Sequence, residues 1–160
     1  MKQLGELMVA EVMSTHPICV GADVRLADAI RRFDDYDVSA LPVLDEDDTV
    51  VGILSIVDLL DVSRELHGEL DAAKFVGDKT RGYLLGLWAR DEDHTRVSDV
   101  MTQQVETVAP RTNAVVAAKL MLQGGFRHLP VVDEDGKAVG ILSATDFLKA
   151  FAQQAPLLAG

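Results

Sequence analysis

Cysteine, cationic side chains and long apolar runs are all scarce in this chain of 160 residues. One cysteine excludes both an intrachain disulfide and a zinc site built from several cysteines. With 15 Lys and Arg against 26 Asp and Glu, the net charge is −11, which repels the phosphate backbone of nucleic acids. No apolar run is long enough to cross a membrane, and residues 1–6 lack the apolar segment of a signal peptide. We therefore predict a soluble, cytoplasmic protein with no nucleic-acid or membrane partner.

An internal repeat dominates what is present. When the sequence is shifted by 88 positions, residues 9–60 fall on residues 97–148 without a gap. The identical blocks are Leu41-Pro42-Val43 with Leu129-Pro130-Val131, 45–47 with 133–135, 51–55 with 139–143, and Asp58 with Asp146. Two copies favour a pseudo-two-fold pair, since a solenoid needs three or more units.

Each copy carries the pattern of a β-α-β-β-α unit. A short strand follows Val-Met, a helix with apolar residues at helical spacing comes next, and two apolar runs flank an acidic turn before a second helix. Asp23 and Thr112 are the predicted N-caps of the two first helices. The pattern predicts an α/β fold of the α+β type, with the two repeats packed as a pair.

The repeat also sets the predicted domain organisation. The first repeat with its N-terminal segment takes residues 1–60, a helical insertion 61–96, the second repeat 97–150 and a tail 151–160. A helix is predicted to continue from residue 61 to 76. The apolar residues around Tyr83 and Trp88 either cover part of the module or form a partner or dimer surface, because Trp and Tyr favour the cores of interfaces.

These motifs, in this order and doubled, resemble the CBS (cystathionine β-synthase) domain, two of which form a CBS pair or Bateman module. The resemblance covers residues 9–60 and 97–150. It implies a regulatory module that binds adenine nucleotides in clefts between the repeats and forms a homodimer. It also implies that Asp146 accepts hydrogen bonds from the two hydroxyls of a ribose.

Two interpretations of the Ser-x-x-Asp junctions stay open. A helix N-terminus attracts anions, so the Ser143 and Thr145 hydroxyls are candidate donors to a phosphate beside Asp146. However, Ser143 with Asp146 also forms the pattern of a capping box, which needs no ligand. Ser55 with Asp58 fits a capping box equally well.

The remaining predicted contacts of the preferred site lie at strand ends. Arg127 and His128, before a buried strand, supply positive donors in an acidic chain; Arg127 is alternatively an ordinary solvated charge. The resemblance implies that this cleft joins Ile18, Val38 and Ser39 to the Asp146 junction. A second, weaker cleft is expected to contain Ser55, Asp58, Glu106, Phe126 and Arg127. It is weaker because Val57 replaces the Thr145 hydroxyl and Glu106 brings a negative charge.

Three functions remain compatible with these patterns. The first is a stand-alone regulatory module that binds an adenine nucleotide of the AMP, ADP or ATP class and changes its conformation or its affinity for a partner. The alternatives are a ligand-independent dimerisation scaffold and a sensor of S-adenosylmethionine. We do not expect an enzyme, a metal or a catalytic cofactor, because no nucleophile elbow, phosphate-binding loop or His-Glu-x-x-His motif is present.

Overall fold

Short strands and helices alternate in both halves of the chain, as the repeat predicts. The computed structural model describes residues 4–67 and 94–154, together with Gly82 and Gly86. The chain divides into two units, one formed by Ile18–Gln104 and the other by Met1–Pro17 with Val105–Gly160. In the described part of the chain, no helix is both long and apolar enough to span a membrane.

The unit of residues 18–104 is built on a four-stranded sheet. Its elements are β2 (Val20–Gly21), α2 (Leu26–Asp35), β3 (Ala40–Leu44), β4 (Val50–Ser55), α3 (Ile56–His67), α4 (Val97–Val100) and β5 (Thr102–Gln103). The strand order is β2-β3-β4-β5; β2 runs parallel to β3, and the other pairs are antiparallel. Buried side chains of α2 pack with β3 and β4 side chains because apolar residues recur on one face of this helix.

The second unit carries a three-stranded sheet. Its elements are a 3-10 helix (Leu4–Glu6), α1 (Val9–Val12), β1 (Ser14–Thr15), α5 (Ala114–Gly124), β6 (His128–Val132), β7 (Ala138–Ser143) and α6 (Ala144–Gln154). The strand order is β1-β7-β6, with both pairs antiparallel. Val108 forms a single parallel bridge to Val131, at the place that β2 takes beside β3 in the other unit.

The strand that begins each sequence repeat pairs with the sheet of the other repeat. Ser14 pairs with Ile141 of β7, and Thr102 pairs with Ile53 of β4. Glycine permits the close crossing: a Cβ at Gly52 would lie 2.9 Å from the Thr102 carbonyl oxygen, and one at Gly140 would lie 3.0 Å from that of Ser14. The units of the fold therefore do not begin where the sequence repeats begin.

The predicted hairpins are confirmed, and acidic residues hold their turns. Asp45 Oδ1 accepts hydrogen bonds from the backbone N–H groups of Asp47 (3.0 Å) and Thr49 (2.9 Å). Asp133 Oδ1 accepts equivalent bonds from Asp135 and Lys137, both at 2.9 Å. These are side-chain-stabilised turns, so the acidic runs between the strands need no ligand to explain them.

Two predicted helix caps are wrong. The N-cap of α2 is Arg25, whose side chain makes no capping bond, instead of Asp23. The N-cap of α5 is Asn113 instead of Thr112, and its Oδ1 accepts from the N–H groups of Val115 (2.9 Å) and Val116 (3.4 Å). Thr112 does not cap α5 because its hydroxyl instead accepts the backbone N–H of Ala109 at 3.2 Å.

The helix predicted from residue 61 is present as far as α3 extends, to His67. The rest of that predicted helix, the apolar residues 83–85, 87 and 88 and the tail 155–160 lie outside the described residues.

Candidate functional site

The junction between β7 and α6 places one carboxylate in a fixed orientation. Asp146 stands in the first turn of α6, and only 6% of its surface is exposed. Its Oδ2 accepts hydrogen bonds from the backbone N–H and the hydroxyl of Ser143, both at 2.8 Å. Its Oδ1 accepts a third bond from the Ser14 hydroxyl at 3.0 Å. The capping interpretation therefore accounts for the Oδ2 bonds, while Oδ1 is oriented by a strand from far along the chain.

The junction between β4 and α3 repeats this arrangement. Asp58 Oδ2 accepts from the N–H and the hydroxyl of Ser55, both at 2.7 Å, and Asp58 N–H donates back to Ser55 Oγ at 3.2 Å. Asp58 Oδ1 accepts from the Thr102 hydroxyl at 3.0 Å. This is a reciprocal capping box, with Asp in the place where Glu or Gln is usual. Asp58 is half-buried, whereas Asp146 is buried.

Ser14 and Thr102 are functional candidates that the sequence reasoning missed. Each donates to the carboxylate oxygen that the capping serine leaves free. The two residues are separated from their partners by 132 and 44 positions, so no local pattern joins them. The repeat did contain a signal: Ser14 aligns with Thr102 at the same shift that aligns Asp58 with Asp146, and both positions carry a hydroxyl.

A basic pair lies beside the Asp146 junction. His128 begins β6 and pairs in register with Ser143, the last residue of β7, so it stands at the same end of the hairpin as Asp146. Burial lowers the pKa of His128, and the charge of Arg127 lowers it further, while the nearby carboxylate of Asp146 acts in the opposite direction. Arg127 and Thr145 are exposed. A cation, an imidazole and a hydroxyl thus accompany Asp146 within one unit.

The other predicted site residues are distributed between the two units. Ile18 and Val38 are half-buried against the core of the first unit, where the Ser39 carbonyl accepts the N–H of Ile56 at 3.2 Å. In the second unit Glu106 is exposed, and Phe126 packs partly buried against the core. The structure thus brings Ser143, Asp146 and His128 together in one unit. It brings Ser39, Ser55 and Asp58 together in the other.

Neither the lone cysteine nor the acidic residues in the described part of the chain form a second reactive or metal-binding site. Burial raises the pKa of the Cys19 thiol, although Arg32 lowers it in part, so its thiolate form is disfavoured. Among the residues that the structure describes, no group of three or more His, Cys, Asp or Glu is placed to hold a metal ion.

Comparison with known proteins decides the family. A sequence model of the CBS domain matches residues 9–65 and again 97–153. The chain belongs to the CBS domain family. Its fold of two tandem repeats with mixed strands and helices is that of solved CBS pairs.

Individual proteins are similar over most of the chain. An uncharacterized protein of Methanocaldococcus jannaschii is 32% identical over 157 residues, covering 91% of this chain and 92% of its own length. The chloroplastic CBS domain-containing protein CBSX2 of Arabidopsis thaliana is 35% identical over 131 residues, and the match covers 79% of this chain and 55% of that protein.

Solved structures carry the same fold. The crystal structure of CBSX2 in complex with AMP is 30% identical, with a TM-score of 0.69, covering 91% of this chain and 96% of that one. A CBS domain pair solved with 5′-methylthioadenosine and S-adenosyl-L-methionine has a TM-score of 0.70, covering 93% of this chain and 98% of its own; at 19% identity it shares the fold alone.

Proposed function

We propose that this protein is a regulatory module that binds an adenine nucleotide of the AMP, ADP or ATP class at the Asp146 junction. Binding is expressed as a conformational change or as an altered affinity for a protein partner, and the location is cytoplasmic. The observation that carries the proposal is the buried, pre-oriented carboxylate of Asp146 beside a basic pair. The likeness to CBSX2, which was crystallised with AMP, supports the choice of ligand.

Asp146 has the chemistry that a ribose requires. A carboxylate accepts about four hydrogen bonds, and Asp146 uses two on Oδ2 for Ser143 and one on Oδ1 for Ser14. Oδ1 therefore keeps capacity for a ribose hydroxyl, and a bond to a charged acceptor is worth about 1.5–3 kcal/mol. The bonds already present hold the carboxylate in one rotamer, which reduces the entropy lost on binding.

The groups around Asp146 suit a phosphate. The Arg127 guanidinium offers two parallel donors to phosphate oxygens. His128 becomes a second cation when it takes up a proton, and the exposed Thr145 hydroxyl is a neutral donor. In a chain of net charge −11, the guanidinium of Arg127 supplies the local positive charge that an anionic ligand needs.

The adenine contacts stay a prediction. By family resemblance, Ile18, Val38 and Ser39 complete this site, and Ser55, Asp58, Glu106 and Phe126 belong to a weaker one. The weaker site lacks a hydroxyl at Val57, where the preferred one has Thr145, and it carries the negative charge of Glu106. We expect a nucleotide to favour the Asp146 site for both reasons.

A ligand-independent scaffold is the second candidate, and one observation favours it. Capping alone accounts for the bonds between Ser143 and Asp146 and for those between Ser55 and Asp58. The third candidate is a sensor of S-adenosylmethionine, a ligand named for one structure with the same fold. That ligand has an adenosine and no phosphate, so it would use Asp146 without needing Arg127.

Titration calorimetry on the ligand-free protein with AMP, ADP, ATP and S-adenosylmethionine tests the three candidates. Asp146→Asn is the informative variant because the amide keeps the shape of the side chain and an oxygen for the Ser143 bonds. Asp58→Asn is its matched control, since Asp58 makes the same three kinds of bond. We expect Asp146→Asn to weaken nucleotide binding at the tighter site at least about tenfold, which equals the loss of ~1.4 kcal/mol. Asp58→Asn is expected to leave binding at that tighter site unchanged.

The other outcomes separate the alternatives. Loss of nucleotide binding in Asp58→Asn alone would show that the nucleotide binds at the junction between β4 and α3. Binding of S-adenosylmethionine in preference to the nucleotides would replace the ligand class. If a folded, ligand-free sample binds none of the four compounds, the nucleotide proposal is wrong and the scaffold is favoured.

The phosphate contact has its own test. Arg127→Ala is expected to weaken the binding of ATP more than the binding of AMP. Lys137→Ala removes the same charge at the opposite end of the β6–β7 hairpin and is expected to leave the affinity for both nucleotides unchanged. If both variants weaken nucleotide binding equally, Arg127 acts only through the net charge of the protein and not through a direct contact with phosphate.

A further inference from the structure

A cavity lies at the turn end of the β6–β7 hairpin, in the same unit as Asp146. Residues 107–111 line one wall and residues 132–134 line the other, and the cavity has a volume of about 440 Å³. Pockets for small molecules usually measure about 300–1,000 Å³. His128 and Ser143 pair at the opposite end of the hairpin, so the length of β6 separates them from this cavity. The cavity is therefore distinct from the Asp146 junction.

Pro110 ends a strand pairing that continues in the first repeat. In the first repeat the N–H of Ala22 donates to the Leu44 carbonyl oxygen at 2.9 Å. The shift of 88 positions aligns Ala22 with Pro110 and Leu44 with Val132, and proline has no N–H to donate. The parallel pairing beside β6 therefore ends at Val108, whose carbonyl accepts the Val132 N–H at 3.0 Å. The cavity lies directly beyond that last bond.

The carbonyl group of Val132 points toward this cavity. In an extended strand, the N–H and the C=O of one residue point to the same side. The N–H of Val132 bonds to Val108, so its carbonyl oxygen also faces residues 108–111. Among the described residues, Pro110 leaves this oxygen without the donor that Ala22 supplies in the first repeat. Backbone acceptors require a hydrogen-bond donor when they are removed from water, and a ligand with an N–H group can supply one.

Charges of opposite sign line the two walls of the cavity. Arg111 lies on one wall and is exposed, while Asp133 and Glu134 lie on the other. Asp133 Oδ1 holds the turn by accepting two backbone N–H groups, which leaves Oδ2 for other donors. The half-buried Thr107 adds a hydroxyl to the wall that carries Arg111. The cavity therefore offers donors to a negative group on one side and acceptors to a positive group on the other.

The aligned positions of the first repeat lack this combination. Asp23 stands where the second repeat has Arg111, and residues 45–46 are acidic, as residues 133–134 are. The first repeat also continues its strand pairing past the corresponding point. A cation opposite two acids, next to a backbone carbonyl that lacks its strand donor, is therefore a feature of the second repeat.

We propose that this cavity binds a zwitterionic small molecule, an α-amino acid with an apolar side chain. The ammonium group donates to the Val132 carbonyl oxygen and to the carboxylates of residues 133–134. The carboxylate accepts from the Thr107 hydroxyl and from the guanidinium of Arg111, which offers two parallel donors. The apolar side chain packs on residues 108–110. A simple cation would meet Arg111 and a simple anion would meet the two acids, whereas a zwitterion is complementary to both walls.

L-Leucine is the probe, and ¹H–¹⁵N NMR spectra of the full chain without nucleotide measure its binding. We expect shifts of the amide signals around residues 107–111 and 132–134, with a Kd of about 1 mM, because exposed ion pairs contribute little each. N-acetyl-L-leucine lacks the ammonium and L-leucinamide lacks the carboxylate, so each is expected to bind at least about tenfold more weakly. Because nucleotide is absent, the result does not depend on the ligand proposed for Asp146.

Two variants test the contribution of the protein. Arg111→Ala is expected to raise the Kd for leucine at least about tenfold, whereas Lys119→Ala, which removes the same charge from the exposed surface of α5, is expected to leave it unchanged. Pro110→Ala introduces the residue of the first repeat, with an N–H for the Val132 carbonyl. We expect this variant to fold, which circular dichroism checks, and to weaken leucine binding at least about tenfold because strand pairing then occupies the acceptor.

Three results would overturn the inference. The first is an unchanged spectrum of the wild type at about 10 mM leucine, ten times the expected Kd. The second is binding of N-acetyl-L-leucine or of L-leucinamide as tight as that of leucine, since the cavity would then recognise one charge and not a zwitterion. The third is an equal Kd for leucine in Arg111→Ala and Lys119→Ala, or shifts confined to the surroundings of Asp146, which would place the leucine elsewhere.

Discussion

Gly52 lies where β5 pairs closely with β4, and a single substitution there is expected to disturb that pairing. A Cβ there would lie 2.6 Å from Met101 Sδ and 2.9 Å from the Thr102 carbonyl oxygen. The methionine sulfur belongs to a flexible side chain and can move away. The carbonyl oxygen belongs to β5, which pairs with β4 through Gly52 with Gln103 and Ile53 with Thr102, so it moves only if the strand moves.

Gly52→Ala is therefore expected to lower the free energy of unfolding by about 1–3.5 kcal/mol. Overpacking of a buried position costs about 1–3 kcal/mol. Displacement of β5 also weakens the bond from Thr102 to Asp58, which we set at about 1 kcal/mol, below the usual range for a charged acceptor, because the pair is exposed. Reduced entropy of the unfolded chain offsets this by about 0.4–1 kcal/mol.

Urea denaturation followed by circular dichroism measures the change, with Gly5→Ala as the matched control. A Cβ at Gly5 meets no atom within 4 Å, so that variant is expected to be neutral or slightly stabilised. Adding Met101→Ala to Gly52→Ala is expected to recover only part of the loss, because it removes the sulfur and leaves the carbonyl oxygen in place.

Two outcomes would refute this reasoning. If Gly52→Ala denatures at the same urea concentration as Gly5→Ala, then the Thr102 carbonyl oxygen of β5 does not lie close enough to Gly52 to exclude a Cβ. If Met101→Ala restores all of the lost stability, the side chain and not the backbone sets the requirement for glycine.

Two further predictions concern the second unit. Asn113→Ala is expected to lose about 1 kcal/mol of stability with the N-cap of α5. Thr112→Ala should lose less stability in the same urea titration. If it loses more than Asn113→Ala, Thr112 and not Asn113 caps the helix. Because burial lowers the pKa of His128, the unfolded chain binds the proton more readily, and stability falls as the pH drops through the ordinary value of about 6.5 toward the lowered one. His128→Gln should lose less stability than the wild type between about pH 7.5 and pH 5; an equal loss would show that this histidine is not the cause.

The sequence predicted the elements and the hairpins because each depends on a local pattern. The apolar spacing of Leu26, Ile30 and Phe33 indicated a helix, and all three residues are buried on its inner face. The capping interpretation of Ser143 with Asp146 also needed only three residues of separation. Local chemistry of this kind is readable without a structure, since both partners lie within one turn of each other.

A short strand after each Val-Met pair was expected, but the partners of these strands, β1 and β5, could not be predicted in the same way. Each has two residues, too few to show an alternating pattern that would indicate its neighbour in a sheet. Their partners are far away in sequence. β1 pairs with β7 at Gly140, and β5 pairs with β4 at Gly52. The bonds that Ser14 and Thr102 make to the carboxylates follow from that pairing, so they were also missed.

Where the two repeats agree, the fold supplies a sufficient reason for the shared residues. The glycines under the crossing strands, the hydroxyls at 14 and 102 and the capping aspartates occur in both repeats and hold the same structure in both. His128 is different, because Ala40 takes its place in the first repeat with the same register: Ala40 opposite Ser55, His128 opposite Ser143. A strand that accepts alanine at this position does not need a half-buried histidine whose pKa is lowered by burial. Contact with an anionic ligand is an explanation for a histidine beside Asp146 in the second repeat alone, and the charge of neighbouring Arg127 also fits it.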